Sequence, residues 1–156
     1  MTTCIIRFGK KKDLPFVHNL IKELAIYENA EKEVTTTPEQ MLHDGFGENP
    51  CFYFFVAELD GKIIGTAIYY ISYSTWRGKS VYLEDLIVNE KYRQKGVGKC
   101  LFDRLIEEAK KQKAHRFLWQ VLDWNEPAIN FYKKYNSIFE NDWINCKLTK
   151  EQLDKF

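Results

Sequence analysis

Two carboxylates set inside an apolar run point first to chemistry: Glu84 and Asp85 in Val81-Tyr82-Leu83-Glu84-Asp85-Leu86-Ile87-Val88. A buried carboxylate is costly unless it is paired, hydrated or used. In this setting acid/base work or recognition of a cation is favoured over a structural ion pair. A few residues on, Arg93-Gln94-Lys95-Gly96-Val97-Gly98-Lys99 gathers cations and glycines at the start of a predicted helix. Helix-start amides have no intrahelical partner and glycine lets an anion approach them, so this loop reads as a phosphate grip. Its spacing fits neither a Walker loop nor a Rossmann fingerprint.

The elements that must position these groups follow from periodicity. The run from Val81 to Val88 is β-rich, too short for a core helix and bounded by Gly78 and Asn89, which predicts a strand. Strict alternation puts Glu84 on a face with Tyr82 and Leu86, and Asp85 on the other with Leu83 and Ile87, so the two acids are expected to point apart. The helix after the loop carries Val97, Leu101, Phe102, Leu105, Ile106 and Ala109 on its apolar side. Cys100 lies near its start, where a thiol can be activated; a packed cysteine is the favoured reading over a nucleophile.

Upstream, Cys4 to Phe8 reads as a strand. Asp13 and Pro15 then open a helix with Leu14, Val17, Leu20, Ile21, Leu24 and Ala25 along one side, ending at Tyr27 and Glu28. Thr37-Pro38-Glu39-Gln40 is a capping-box start for a short helix that closes at Asp44-Gly45-Phe46-Gly47. Cys51 to Val56 and Lys62 to Tyr73 read as strands joined by an Asp60-Gly61 hairpin, and Ser74 to Gly78 turns into the acidic strand, giving an antiparallel meander. The acidic stretch from Glu28 to Glu33 is a solvated face or a lip that attracts a cationic substrate. Downstream, Arg116 to Val121 predicts a strand, Asn125 and Pro127 start a helix from Ala128 to Tyr135, Trp143 to Leu148 predicts a last strand, and Thr149 caps a short terminal helix. The fold class expected is α+β, a mixed, mostly antiparallel sheet flanked by helices in one domain over residues 1–156.

Composition narrows the function classes. The 156 residues are 45% hydrophobic, enough for a sizeable core, and 23 basic against 22 acidic residues leave a net charge of +1, with no global field for nucleic acid or membrane. The longest apolar run, Cys51 to Ala57, is far below the roughly 20 residues that span a bilayer. No signal-peptide pattern opens the sequence, so a cytoplasmic location is expected. Cys4, Cys51, Cys100 and Cys146 form no C-x-x-C pair, which argues for free thiols over a zinc site.

The acidic strand followed by Arg93-x-x-Gly96-x-Gly98 resembles the acyl-CoA-binding core of the GNAT acetyltransferase superfamily, whose pattern is Q/R-x-x-G-x-G/A. Asn125-Glu126-Pro127-Ala128-Ile129-Asn130-Phe131-Tyr132 matches the superfamily's N-x-x-A-x-x-x-Y. LIKELAIYE from Leu20, DGFGENP from Asp44, YYISYSTWRGK from Tyr69, YLED from Tyr82 and LDWNEPAINFYKKY from Leu122 extend the likeness almost end to end, to the diamine acetyltransferase family and its thialysine-acetylating branch. That resemblance implies acetyl transfer from acetyl-CoA to a primary amine, in a homodimer with no metal. It further implies that Leu86, Ile87 and Val88 pair with the pantetheine, Arg93 to Lys99 cradle the pyrophosphate, and Asn125, Glu126, Pro127 and Ala128 complete the cofactor site. Tyr132 matches the general acid and Glu84 the carboxylate that accepts the amine proton through water, while Tyr27, Glu28, Ser74, Trp76, Glu84 and Asp85 match the substrate side. The residue types suit this chemistry, because an ammonium with a pKa near 10.4 needs a base before it can attack a thioester, and a departing thiolate gains from a nearby phenol.

Two departures from the family pattern stand out. Asn136 replaces the usual glycine after Tyr132 and is the next-best left-handed cap. The loop from Ile138 to Asp142 is shorter than usual. The polyamine-specific members carry Tyr-Asp-Pro-Trp where this chain has Tyr73-Ser74-Thr75-Trp76, so one counter-charge for a distal ammonium is missing.

Overall fold

The computed structural model describes residues 4–156, in two compact units, one ending at Gln120 and the other Val121–Phe156. In the first unit five strands form one sheet in sequence order: β1 (Ile5–Phe8), β2 (Tyr53–Leu59), β3 (Lys62–Ser74), β4 (Gly78–Val88) and β5 (Arg116–Leu118). The first four are antiparallel and β5 runs parallel to β4, which is the mixed α+β sheet expected. Asp60 (φ 49°) and Gly61 (φ 74°) close the β2–β3 hairpin in the left-handed pair of conformations that matches strand twist.

The sheet has two covered faces. On one, α1 (Leu14–Tyr27), opened by Pro15, and α2 (Pro38–Phe46), capped by the Thr37 hydroxyl, bury Leu14, Val17 and Met41 against Phe54, Val56 and Ile68. Phe55 points the other way, where the Arg104 guanidinium of α3 (Val97–Lys111) lies 4.4 Å from its ring centre. Leu101, Phe102 and Leu105 of α3 are fully buried, and each contributes about 1.5–3 kcal/mol. Glu108, on the same helix, is a buried carboxylate that the apolar pattern does not reveal.

β5 is shorter than the predicted Arg116 to Val121. It pairs with β4 only through Ser80, Val81 and Tyr82, so the parallel ladder stops at Tyr82–Leu118 while β4 continues to Val88.

In the second unit Asn125 caps α4 (Glu126–Lys133), and Thr149 and Gln152 form a reciprocal capping box on α5 (Lys150–Leu153). α4 begins and ends two residues before the predicted Ala128 to Tyr135, and Asn136 takes the left-handed conformation (φ 54°) anticipated for it. The strand predicted from Trp143 to Leu148 does not form: Trp143 is 77% and Ile144 89% exposed, and this unit contains no strand among the described residues to complete a ladder. No helix among the described residues is long and apolar enough to cross a membrane.

Candidate active site

The β3–β4 ladder contains a bulge at the acidic pair. Ile68 opposes Asp85 and Tyr69 opposes Leu83, so Glu84 is an extra residue on β4 with no partner on β3. This overturns the strict alternation expected of the strand. Leu83 pairs with Tyr69, on the α3 side, whereas Asp85 pairs with Ile68, part of the core beneath α1 and α2. Glu84 acts electrostatically on Asp85 and on the phenols of Tyr70 and Tyr82, and Tyr70 shares Ile68's face of β3. The two acids therefore lie on the same side of the sheet.

Glu28, just past the end of α1, completes an acidic trio. Burial first, then the charges of Glu84 and Glu28, push the Asp85 carboxyl up to about 7. Burial also raises the Glu28 carboxyl. Glu84 is exposed. None of the three forms an ion pair with a lysine or arginine among the described residues. Uncompensated negative charge gathered in this way can receive a cation, and a carboxylate that solvent reaches can take its proton.

The end of β4 leads into the basic loop. Leu86, Ile87 and Val88 oppose Ala67, Thr66 and Gly65 on the β3 side, while on the other side the β5 ladder has already ended. Arg93 anchors the turn: its Nε donates to the Val88 carbonyl at 2.9 Å and its guanidinium lies 5.3 Å from the ring centre of Tyr27. Gln94 (φ 60°) and Gly96 (φ 82°) are left-handed, and Gly96 is the N-cap of α3. A Cβ on Gly96 would meet nothing within 4 Å, and one on Gly98 only the Val88 side chain at 3.7 Å. Neither glycine is forced by protein packing, so the space beside the helix start is open. Val97 is buried under the helix start. Lys95 donates to the Lys91 carbonyl at 3.2 Å, and Lys99 pairs with Asp103. The loop has the cations, the backbone turn and the room to hold a pyrophosphate.

Ser74 and Trp76 are not brought to the acidic trio within this chain. They sit at the β3–β4 hairpin tip, six residues along β3 from Ile68, or about 20 Å. The Ser74 hydroxyl accepts from the Trp76 and Arg77 amides at 3.2 and 3.1 Å, which commits it to the turn. Trp76 is 87% exposed. Cys100, read as a packed cysteine, is instead exposed.

In the second unit the Asn125 side chain accepts from the Ala128 amide at 3.3 Å, with Glu126 and Pro127 in the first turn. Tyr132 is buried on α4, its ring edge-on to Phe131.

Sequence reasoning missed Tyr70 and Tyr82, which stack at 5.0 Å next to Glu84. Counting residues back from the Ser74–Gly78 turn pairs them, so that signal was available. Two hollows of about 480 and 250 Å³ lie elsewhere, the first lined by Arg7, Lys12 and Lys62, the second by His43 to Cys51. In the first, Arg7 is already held by Asp13 and Glu58. Among the described residues there is no cluster of three or more His, Cys, Asp or Glu placed to hold a metal.

Comparison with known proteins agrees with this geometry. The acetyltransferase (GNAT) family pattern matches residues 15–136. The chain is 37% identical to thialysine N-epsilon-acetyltransferase of Sus scrofa over 141 residues, 85% of this chain and 83% of that protein. It is 35% identical to the human spermidine/spermine N(1)-acetyltransferase-like protein 1, over 95% of this chain but 23% of that longer protein. Among solved structures, an aminoglycoside N-acetyltransferase in complex with CoA superposes with a TM-score of 0.74 at 20% identity, covering 96% of this chain and 97% of that one, a likeness of fold. The chain belongs to the GNAT family of acetyltransferases.

Proposed function

We propose that this enzyme transfers acetyl from acetyl-CoA to the primary amine of a small diamine-like substrate, a lysine-like amine such as thialysine being preferred to spermidine or spermine, by direct attack in a ternary complex. The observation that carries this reading is the trio Glu28, Glu84 and Asp85, three carboxylates on one side of β4 with no cationic partner among the described residues. Negative charge held together in this way calls for a cation, and an ammonium substrate supplies one. The identity to thialysine N-epsilon-acetyltransferases supports the substrate class. So does Ser74, whose hydroxyl is occupied by its own turn and offers no carboxylate to a distal ammonium.

Acetyl-CoA, when bound, supplies an activated acetyl group with a good leaving group. The open helix start at Gly96 and Gly98 fits its pyrophosphate, with Arg93, Gln94, Lys95, Val97 and Lys99 around it, and the free side of β4 at Leu86, Ile87 and Val88 fits its pantetheine arm. Asn125, Glu126, Pro127 and Ala128 join the cofactor residues by family resemblance. Glu84, which solvent reaches, takes the amine proton through water, and Asp85 and Glu28 hold the ammonium near it. Tyr132 is the proton donor to the departing sulfur. Tyr27, stacked under Arg93, and Trp76 belong to the substrate side. A cytoplasmic homodimer working without metal rests on the resemblance alone.

The test is kcat/KM for thialysine, lysine, spermidine and spermine, side by side at one pH and salt concentration. Thialysine is expected to exceed spermidine several-fold to a hundredfold, the range spanned by the loss of one partly or fully desolvated ion pair. A clear preference for spermidine would defeat the substrate assignment and leave amine acetylation standing.

A further inference from the structure

Tyr70 and Tyr82 form a stacked pair, 5.0 Å between ring centres and 23° between planes, at directly opposed positions of β3 and β4. Their neighbours Val81 and Leu83 are fully buried, whereas both tyrosines keep part of their surface in solvent. Neither hydroxyl has a hydrogen-bond partner among the described residues, and neither is sealed from solvent, so both are open to a ligand. Glu84, two residues on from Tyr82, shares their side of the sheet and acts electrostatically on both phenols, and the bulge brings Asp85 to the same side. Two phenol oxygens thus stand side by side with lone pairs that no protein group among the described residues uses, and no lysine or arginine is paired with Glu84 two residues on. An ammonium has three N–H donors and nothing else to satisfy, and a tyrosine face attracts it further. Tyr82 precedes Asp85 by three residues, which sets the pair roughly 10 Å from that half-buried carboxylate. That separation is on the scale of an extended diamine of the lysine or cadaverine type.

We propose that Tyr70 and Tyr82 are the subsite for the second, non-reacting ammonium of the substrate, and that they make the enzyme select diamines over monoamines. This rests on the amine-acetylation reading and adds to it where the far charge is held. The reacting amine sits toward Asp85 and Leu86, on the part of β4 beyond the β5 ladder, and the chain of the substrate runs back along the strand toward the hairpin. Tyrosine at both positions is then a requirement of specificity, since phenylalanine would stack equally well and bury the same surface.

The experiment compares cadaverine with pentylamine, which match in chain length and differ in the second charge, as substrates with acetyl-CoA. The wild-type enzyme is expected to favour cadaverine in kcat/KM. The double variant Tyr70→Phe/Tyr82→Phe keeps the ring stack, and is expected to lower the cadaverine-to-pentylamine ratio by about tenfold or more, the size of hydrogen bonds to a charged group. A merely structural role would change both substrates alike. An unchanged ratio in the folded variant overturns the subsite. Calorimetric binding of cadaverine to both proteins separates the two claims: binding that weakens in the variant while the wild type acetylates neither amine keeps the subsite and defeats the acetylation reading. A wild type that neither binds nor acetylates cadaverine overturns both.

Discussion

Asp85 stands opposite Ile68 in the β3–β4 ladder, one step before Glu84 is skipped, so a carboxylate occupies a position that its cross-strand neighbour marks as core. Burial alone would raise such a group, and the skip adds to it by bringing Asp85 to the side of Glu84, while α1 ends with Glu28 acting on it too. The site combines desolvation with like charge, the two influences that hold a carboxyl near neutral pH. Stability is given up for function there, and the loss can be measured.

Asp85→Asn is expected to stabilise the protein at pH 8 while lowering activity. The folded-state pKa of about 7 lies above the ordinary 3.8, so the folded chain holds this proton more tightly than the unfolded chain does. The corresponding stability is present below pH 3.8 and is lost as pH rises through about 7. Thermal unfolding followed from pH 4 to pH 8 should show the variant's Tm equal to wild type at the acid end and higher at the alkaline end. Equal Tm values at pH 8 would show that Asp85 is not held protonated by its surroundings.

The basic loop and the strands around it were legible because each is written locally: Asp60-Gly61 demands its hairpin, Thr37 and Asn125 cap their helices, and the period of α3 is unbroken from Val97 to Ala109. The same-face arrangement of Glu84 and Asp85 was not legible. A bulge depends on which residue of the neighbouring strand is skipped, and nothing in β4's own pattern records it. The early end of β5 escaped for a similar reason, since Trp119 to Val121 continue the strand-like composition and nothing in it records that the pairing with β4 stops at Leu118. The segment from Trp143 to Leu148 has the composition of a strand, but a strand exists only when another strand is beside it.

Gly96 separates backbone from ligand effects. Its φ of 82° makes any side chain costly, by about 1–2 kcal/mol, while the space around it is empty. Gly96→Ala and Gly96→Asp should therefore lose similar stability in denaturant unfolding. Only Gly96→Asp should also abolish most CoA affinity by calorimetry, through negative charge at the helix start. Similar CoA affinity in both variants would remove the loop from the pyrophosphate site.

Tyr132→Phe tests the assigned proton donor. It deletes one hydroxyl from a buried ring that keeps its edge-on contact with Phe131. Loss of general-acid help predicts a fall in kcat of at least about tenfold with the KM for acetyl-CoA little changed. Steady-state kinetics with an unchanged kcat would return Tyr132 to a packing role.

Acetyl transfer to an amine is tested most directly by following free CoA and acetylated product together, with the full chain, acetyl-CoA and thialysine. CoA release is predicted to require the amine, to match the acetylated product mole for mole by mass spectrometry, and to fall by about a hundredfold or more in Glu84→Gln. A folded protein that binds CoA yet releases none with any primary amine tried, or releases it equally without amine, would contradict amine acetylation and leave a CoA-binding module without that activity.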